Sequence, residues 1–99
     1  MELSTPFSGF FDAISNDSRI GATHISLYMA LLKQWSLHIG KNSFSIERDN
    51  VMKAAKISSR QTYNRCMSNL HEFGYISYDP AVNGATKSKV SLMYCDKEK

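Results

Sequence analysis

The sequence lacks the features that define several large classes of protein. It has two cysteines and two prolines in 99 residues, so it indicates neither a disulfide-rich secreted domain nor a proline-rich disordered chain. No apolar run approaches the roughly 18 residues that a membrane-spanning helix needs, and residues 1–6 lack the basic-then-apolar order of a secretion signal. We therefore expect a cytoplasmic protein with no membrane partner, in which Cys66 is a buried apolar residue and Cys95 a free thiol.

Motifs for catalysis and metal binding are also missing. The three histidines, His24, His38 and His71, have no cysteine or carboxylate companions at a recognised metal spacing. The sequence contains no GxSxG motif, no phosphate-binding glycine loop and no pair of carboxylates in an apolar setting. It therefore predicts a protein that is not an enzyme and that needs neither a cofactor nor a metal.

What is present fits one folded domain, since 42% of the 99 residues are hydrophobic. We divide the chain into an N-terminal extension, 1–20, a main domain, 21–95, and a tail, 96–99. In the extension, apolar residues spaced i, i+3, i+4, i+7 predict a short helix after Pro6. These residues are Phe7, Phe10, Phe11 and Ile14. Their face covers either the protein's own core or a second copy of the chain, and both alternatives stay open.

The main domain begins with the most regular apolar pattern of the chain. Thr23 is the predicted N-cap of a long helix, and Gly40 lies where a C-terminal glycine belongs. The apolar stripe between them consists of Ile25, Tyr28, Leu32, Trp35 and Ile39, widened by Leu27, Met29 and Leu31. This arc covers roughly half of the circumference, so the helix needs cover on more than one side.

Shorter elements follow this helix. Residues 43–46 alternate and predict a brief strand, and a third helix is expected from about Glu47, with Ser45 as its cap. Its inward residues are predicted to be Val51, Met52 and Ala55. After a tight connection at 56–58, the S-x-x-Q pattern of residues 58–61 predicts a capping box at the start of a fourth helix, which Gly74 ends.

The pattern then changes to that of strands. Residues 75–78 and 89–93 predict a β-hairpin, because turn signals at Asp79-Pro80 and Asn83-Gly84 lie between them. Helix, helix, tight turn, helix and hairpin is the order of a winged helix-turn-helix. The sequence resembles this family over about residues 23–93, through the run ISSRQTY at 57–63, through Leu70 and through Phe73-Gly74-Tyr75-Ile76.

Within that family the chain is most similar to small bacterial transcriptional regulators and to the amino-terminal domains of plasmid and phage replication initiators. The resemblance implies a mainly α fold with a small β-hairpin wing and an extra N-terminal helix. It also implies sequence-specific binding of double-stranded DNA, as a transcriptional regulator or as a replication or excision factor of a mobile element. The alternative is a winged-helix module that binds a protein and no DNA.

The fourth helix carries the side chains that reading DNA requires. On a helical projection, one arc is mostly apolar and is expected to face the core: Thr62, Cys66, Asn69, Leu70 and Phe73. The opposite arc holds Arg60, Asn64, Ser68 and His71, flanked by Gln61 and Arg65. Arginine donates two hydrogen bonds to guanine, and asparagine or glutamine pairs with adenine. The plainer alternative is a solvated polar face, and Tyr63, at the edge of the core arc, is expected to pack inward first.

The positive charge lies in the same part of the chain. Residues 1–40 have two basic and three acidic side chains, whereas residues 41–95 have eight basic and four acidic ones. Lys53 and Lys56 near the turn, Lys87 and Lys89 in the wing, and the hydroxyl of Ser59 are predicted to bind phosphates. Because helix-turn-helix proteins commonly bind paired half-sites, a homodimer is a further expectation.

Overall fold

The computed structural model describes the backbone of residues 4–38, 43–79 and 88–92, and the side chains from residue 9 onward within those ranges. The described residues form α1 Ser4–Ile14, α2 Ala22–Leu37, β1 Phe44–Ile46, α3 Arg48–Ala55, α4 Arg60–Glu72, β2 Ile76–Asp79 and β3 Ser88–Leu92. The prediction of a mainly helical protein with a small antiparallel sheet is confirmed at this level. Among the described helices, none combines the length and the apolar character needed to cross a bilayer.

The first helix packs its aromatic face on the rest of the chain. Phe10 is fully buried, and its ring stacks on that of Tyr28 with 3.7 Å between the centroids. A second ring, that of Tyr75, meets Phe10 edge-on at 5.4 Å. The half-buried members of the predicted face are Phe11 and Ile14. The side chain of Phe7 lies outside the described residues, but Phe10 belongs to the protein's own core.

The second helix is the centre of that core, as its broad apolar arc predicts. Its buried residues are Leu27, Tyr28, Ala30, Leu31, Leu32 and Trp35. The cover comes from several sides, because α3, α4 and β1 all pack against α2 and Phe10 of α1 adds a fourth contact. Ser26 also donates a hydrogen bond from its hydroxyl to the carbonyl of Ala55, which holds the end of α3 against α2.

The predicted cap of α2 is wrong by two residues. Gly21, not Thr23, is the N-cap, with extended backbone angles, and its N–H donates to Nδ1 of His24 at 3.1 Å. Thr23 therefore lies inside the first turn of the helix. The physical reason is that the imidazole of His24 accepts the backbone hydrogen bond that a glutamate or glutamine accepts in a capping box. The predicted C-terminal glycine, Gly40, lies outside the described residues.

Two further caps differ from the prediction by one or two positions. Ser45 lies in β1, and Glu47 is the N-cap of α3. At α4 the cap is Ser59, not Ser58, and its hydroxyl accepts from the N–H of Thr62 at 3.2 Å. The predicted capping box between residues 58 and 61 is therefore absent. Of the residues expected to face inward from α3, Val51 and Ala55 are buried and Met52 is half-buried.

The end of α4 is confirmed. Gly74 follows the helix with a φ of +88°, a conformation that favours glycine because it has no Cβ. The N–H of Gly74 donates to the carbonyl of His71, and that of Tyr75 donates to the carbonyl of Leu70. These two hydrogen bonds form a Schellman motif, which satisfies carbonyls at the end of the helix and turns the chain into β2.

The predicted hairpin is present as β2 and β3, and β1 adds a third strand. The strand order is β1-β3-β2, and both pairs are antiparallel. Val90 at the centre of β3 lies opposite Phe44 on one side and Tyr78 on the other. Phe44, Ile46, Ile76, Val90 and Leu92 are buried, so one face of the sheet packs on the core. The turn signals at residues 80–87 lie outside the described residues.

Candidate nucleic-acid interface

The fourth helix has one buried and one exposed side, but the buried side is not centred where the projection placed it. Its buried residues are Tyr63, Cys66, Met67 and Leu70. Three members of the predicted core arc, Thr62, Asn69 and Phe73, are only half-buried. Tyr63 packs inward, as expected, and is 1% exposed. Met67 was in neither arc, and the spacing 63, 66, 67, 70 shows the true apolar stripe.

The exposed side of α4 is the predicted one. We call it the polar face, and it consists of Arg60, Gln61, Asn64, Arg65 and Ser68, all exposed. No described segment covers these side chains. Guanidinium, carboxamide and hydroxyl groups on adjacent turns of one helix present donors and acceptors of the kinds that base edges recognise.

The cations near this face have no acidic partner among the residues that the structure describes. Within those ranges the ion pairs are Asp17 with Arg19 at 2.8 Å and Arg48 with Asp49 at 3.4 Å. Near this face the exposed cations without an ion pair are Lys53, Lys56, Arg60 and Arg65. Lys89 in β3 is also exposed, but Asp79 lies directly opposite it in the sheet. Lys87, also predicted to bind phosphate, lies outside the described residues. An exposed cation with no carboxylate nearby keeps its full charge for an anionic ligand.

The turn before α4 forms a shallow polar depression beside the polar face. Its volume is about 210 Å³, and it is lined by Thr23, Lys56, Ile57, Ser58, Ser59 and Thr62. Thr23 belongs to the first turn of α2, so this turn shares a surface with the start of α4, which the sequence did not predict. Lys56, the residue that ends α3, has a φ of +63°, in the left-handed region that residues with side chains rarely adopt.

Acidic groups lie at the other end of α4. Glu72 lines an open groove of about 630 Å³ between α4 and β2, together with Ser68, His71 and Tyr78. Asp79 is directly opposite Lys89 in the register of β2 and β3. Positive charge is therefore concentrated at the amino-terminal half of α4 and the preceding turn.

His71 holds β2 to α4. Its Nδ1 accepts a hydrogen bond from the backbone N–H of Tyr78 at 3.1 Å. The sequence placed His71 on the exposed arc, and the residue is exposed, but one ring nitrogen is committed to β2. The proton of the neutral ring consequently lies on Nε2.

A second histidine, His24, joins α2 to α4 and was missed by the sequence analysis. Nδ1 of its half-buried ring accepts from the N–H of Gly21, and Nε2 lies 3.0 Å from the side-chain amide nitrogen of Asn69 in α4. Burial, followed by the positive charge of Arg65, lowers the pKa of His24. A Gly-x-x-His spacing at a helix start was the available signal, because the fourth residue of a capping box faces the N-cap backbone.

The turn between α1 and α2 contacts the carboxyl end of α4 and the residues that follow it. Arg19 donates to both carboxylate oxygens of Asp17 at 2.8 Å, and its guanidinium lies 3.9 Å from the ring centroid of Phe73. Tyr75 donates from its hydroxyl to Asp17 at 2.5 Å. The hydrogen bonds from Arg19 and Tyr75 hold the pKa of Asp17 well below its ordinary value.

Other chemistry has little support among the described residues. They contain no group of three histidine, cysteine or carboxylate side chains suited to a metal ion. Cys66 is buried, as predicted, and burial raises the pKa of its thiol, which is the opposite of what an activated nucleophile requires. Trp35, 4% exposed, is a core residue, as its position in the stripe of α2 predicts.

Comparison with known proteins identifies no relative of this chain. No protein-family model matches the sequence, and the curated proteins and solved structures contain no match to it.

Proposed function

We propose that this chain is a winged helix-turn-helix protein that binds double-stranded DNA in a sequence-specific manner. Its biological role would be that of a transcriptional regulator or of an accessory factor for replication or excision of a mobile element. The observation that carries the proposal is the polar face of α4, whose exposed arginine and carboxamide side chains lie beside cations that no described carboxylate neutralises.

The order of elements supports the winged-helix assignment. The long helix α2 is followed by α3, a tight turn at residues 56–59, α4 and the antiparallel pair β2 and β3. In such a protein α4 enters the major groove, and the residues at its start read base edges. Arg60, Gln61 and Asn64 occupy the first turns of α4 and would make those contacts.

Cations around α4 would bind the DNA backbone. Lys53 and Lys56 lie at the end of α3, which the turn joins to α4, and Lys89 lies in β3. Contacts of this kind position a protein on the duplex without specifying sequence. Release of counterions from the phosphates supplies much of the affinity and makes it depend on salt.

Selection of bound sequences from a random duplex pool tests the proposal most directly. We expect enrichment of a defined motif, and we expect the logarithm of the association constant to fall linearly with the logarithm of the salt concentration. Two motif copies at a fixed spacing would indicate a homodimer on paired half-sites. A pool without enrichment, together with binding that salt does not weaken, would contradict the proposal.

A second candidate function is a winged-helix module whose partner is a protein. The observation that favours it is an apolar surface on α2, where Met29 is 38% exposed and Leu37 is 64% exposed. Met29 also lines a groove of about 230 Å³ with Leu32, Lys33 and Ser36. Light scattering separates a monomer from a self-associating protein, and the salt titration above separates this candidate from DNA binding.

A further inference from the structure

A side chain of α4 forms a bridge to the edge strand β2. The backbone N–H of Tyr78 donates a hydrogen bond to Nδ1 of His71 at 3.1 Å. Because the strand order is β1-β3-β2, β2 has one open edge, and this N–H points from that edge toward the helix instead of toward β3. Among the described residues, this is the side-chain hydrogen bond that joins α4 to β2.

Apolar packing holds only the first part of β2 against the helix. Ile76 is buried, whereas Ser77 and Asp79 are exposed and Tyr78 is half-buried. The open groove of about 630 Å³ lies between α4 and β2 beside Tyr78, so core side chains do not fill the space there. The bridge from His71 therefore crosses the part of the helix–strand contact that packing leaves open.

Two hydrogen bonds to α4 fix the direction of the chain along β2. The carbonyl of Leu70 accepts from the N–H of Tyr75, just before the strand. The ring of the next helical residue, His71, accepts from the N–H of Tyr78. Three residues of extended chain separate the two donors by about 10 Å. One contact alone is a pivot, whereas two contacts at this separation define the angle between strand and helix.

We propose that His71 is a positioning residue, which sets the angle between β2 and α4 and thereby the place of Lys89 relative to the polar face. In the register of the two strands, Lys89 lies opposite Asp79, the residue after Tyr78. A rotation of β2 about its packed end therefore moves Lys89 as well. The consequence for DNA rests on the proposed function, in which Lys89 binds a phosphate, whereas the angle of the strand does not.

His71→Asn and His71→Leu are the matched pair of variants. Asparagine places a carbonyl oxygen where histidine has Nδ1, and this oxygen accepts the N–H of Tyr78. Leucine has nearly the shape of asparagine but no acceptor. Because His71 is exposed, both variants should fold with nearly the stability of the wild type.

Amide hydrogen exchange tests the bridge without DNA. We expect the N–H of Tyr78 to exchange roughly threefold to tenfold faster in His71→Leu than in wild type and His71→Asn, as the loss of one hydrogen bond implies. The N–H of Tyr75 is the internal control, since its acceptor is the carbonyl of Leu70. Equal exchange at Tyr78 in all three proteins would overturn the proposal.

Residual dipolar couplings of the backbone N–H groups measure the angle between β2 and α4. We expect the same angle in wild type and His71→Asn and a different one in His71→Leu. In the wild type alone, a scalar coupling between the backbone nitrogen of Tyr78 and Nδ1 of His71 reports the hydrogen bond even if a variant fails to fold. An unchanged angle in His71→Leu, or the absence of that coupling, would refute the positioning role.

The link to DNA is tested by Lys89→Ala in each of the three backgrounds, with duplex affinity measured as a function of salt. In wild type and His71→Asn, this substitution should reduce the magnitude of the slope of log association constant against log salt concentration by about 0.9, the value for one phosphate contact. In His71→Leu the reduction should vanish, and an equal reduction in all three would overturn the link. If no duplex binds while exchange and couplings are as expected, the proposed function fails and the positioning role stands.

Discussion

The two ends of α4 differ in their exposure and in their contacts with the rest of the chain. At the amino end, Arg60, Gln61 and Asn64 are exposed. The side-chain hydrogen bond described there is the N-cap, in which the N–H of Thr62 donates to the hydroxyl of Ser59. At the carboxyl end, Phe73 lies under Arg19, and the next residues form the Schellman motif. Beyond it, Tyr75 binds Asp17 and packs on Phe10.

This difference indicates how a small protein presents a binding surface. A side chain that binds a ligand must stay free of internal partners, so it adds little to stability. The helix that carries it must then be held by other residues. Here those contacts lie toward the carboxyl end of α4, where His24 lies against Asn69 and Asp17 accepts from Tyr75. Substitutions at the two ends should therefore separate stability from binding.

The largest expected effect is at the carboxyl end. Phe10→Ala removes a fully buried ring that contacts both Tyr28 and Tyr75. We expect the free energy of unfolding to fall by about 3–5 kcal/mol, because the truncation leaves a cavity in the core. Urea unfolding, followed by circular dichroism, measures the change.

The matched control for this variant is Met29→Ala on α2, where the side chain is 38% exposed. Its cost should stay within roughly 0.5 kcal/mol, as is usual for a surface position. Folded Phe10→Ala protein should still bind the selected duplex with the affinity of the wild type. Equal costs for the two variants would mean that α1 does not pack on the core in solution.

The next effect is at the amino end and concerns binding alone. If the proposed function is correct, Arg60→Ala and Asn64→Ala should each weaken binding to the selected duplex by about 1–3 kcal/mol, because each would remove a contact to a base edge. The stability of both variants should match the wild type, since both side chains are exposed. Fluorescence anisotropy measures the affinity, and urea unfolding checks the stability.

Lys33→Ala controls for the loss of one positive charge away from this surface, since Lys33 is exposed on α2 beside Met29. It should affect selected and random duplexes equally and only slightly. If Lys33→Ala weakens the selected duplex as much as Arg60→Ala does, charge alone explains the binding and the polar face of α4 does not read bases.

The exposed half of the site was more predictable from sequence than the contacts that position it. The polar arc of α4, the burial of Tyr63 and the glycine after the helix follow from local periodicity and turn chemistry. The hydrogen bond between Tyr75 and Asp17 joins residues 58 positions apart, and the contact between His24 and Asn69 joins residues 45 positions apart. Local patterns carry no information about such pairs.

The errors in the caps have a related cause. Several hydroxyl residues stand near each helix start, and the choice among them depends on where the preceding chain lies. Ser45 was unavailable to α3 because it pairs with Lys89 in the sheet, a contact that forms only when β1 meets β3. Gly21, and not Thr23, is the N-cap of α2 because Nδ1 of His24 accepts the hydrogen bond from the N–H of Gly21.

A smaller effect is the loss of stability at low pH that arises from Asp17, beside the carboxyl end of α4. Hydrogen bonds from Arg19 and Tyr75 hold the pKa of Asp17 below its ordinary value of 3.8, so the unfolded chain takes up this proton first. The stabilisation is present above about pH 4 and is lost as the pH falls further. We expect the thermal midpoint of wild type to exceed that of Asp17→Asn at pH 7 and the gap to narrow at pH 3. A gap that does not change with pH would show that Asp17 acts by shape and not by charge.

The smallest effect is expected in the turn between α3 and α4, where Lys56 has a strained backbone and a side chain proposed to bind phosphate. Lys56 holds a φ of +63°, which costs a side-chain-bearing residue free energy that glycine does not pay. Lys56→Gly should therefore be more stable than Lys56→Ala by about 0.5–1 kcal/mol, after the greater chain entropy of unfolded glycine is subtracted. Both variants lack the ammonium group, so both should weaken all duplexes to the same extent, irrespective of sequence. Equal stability with unequal binding would reverse the assignment and make Lys56 a residue whose backbone, rather than whose charge, shapes the proposed DNA-binding surface.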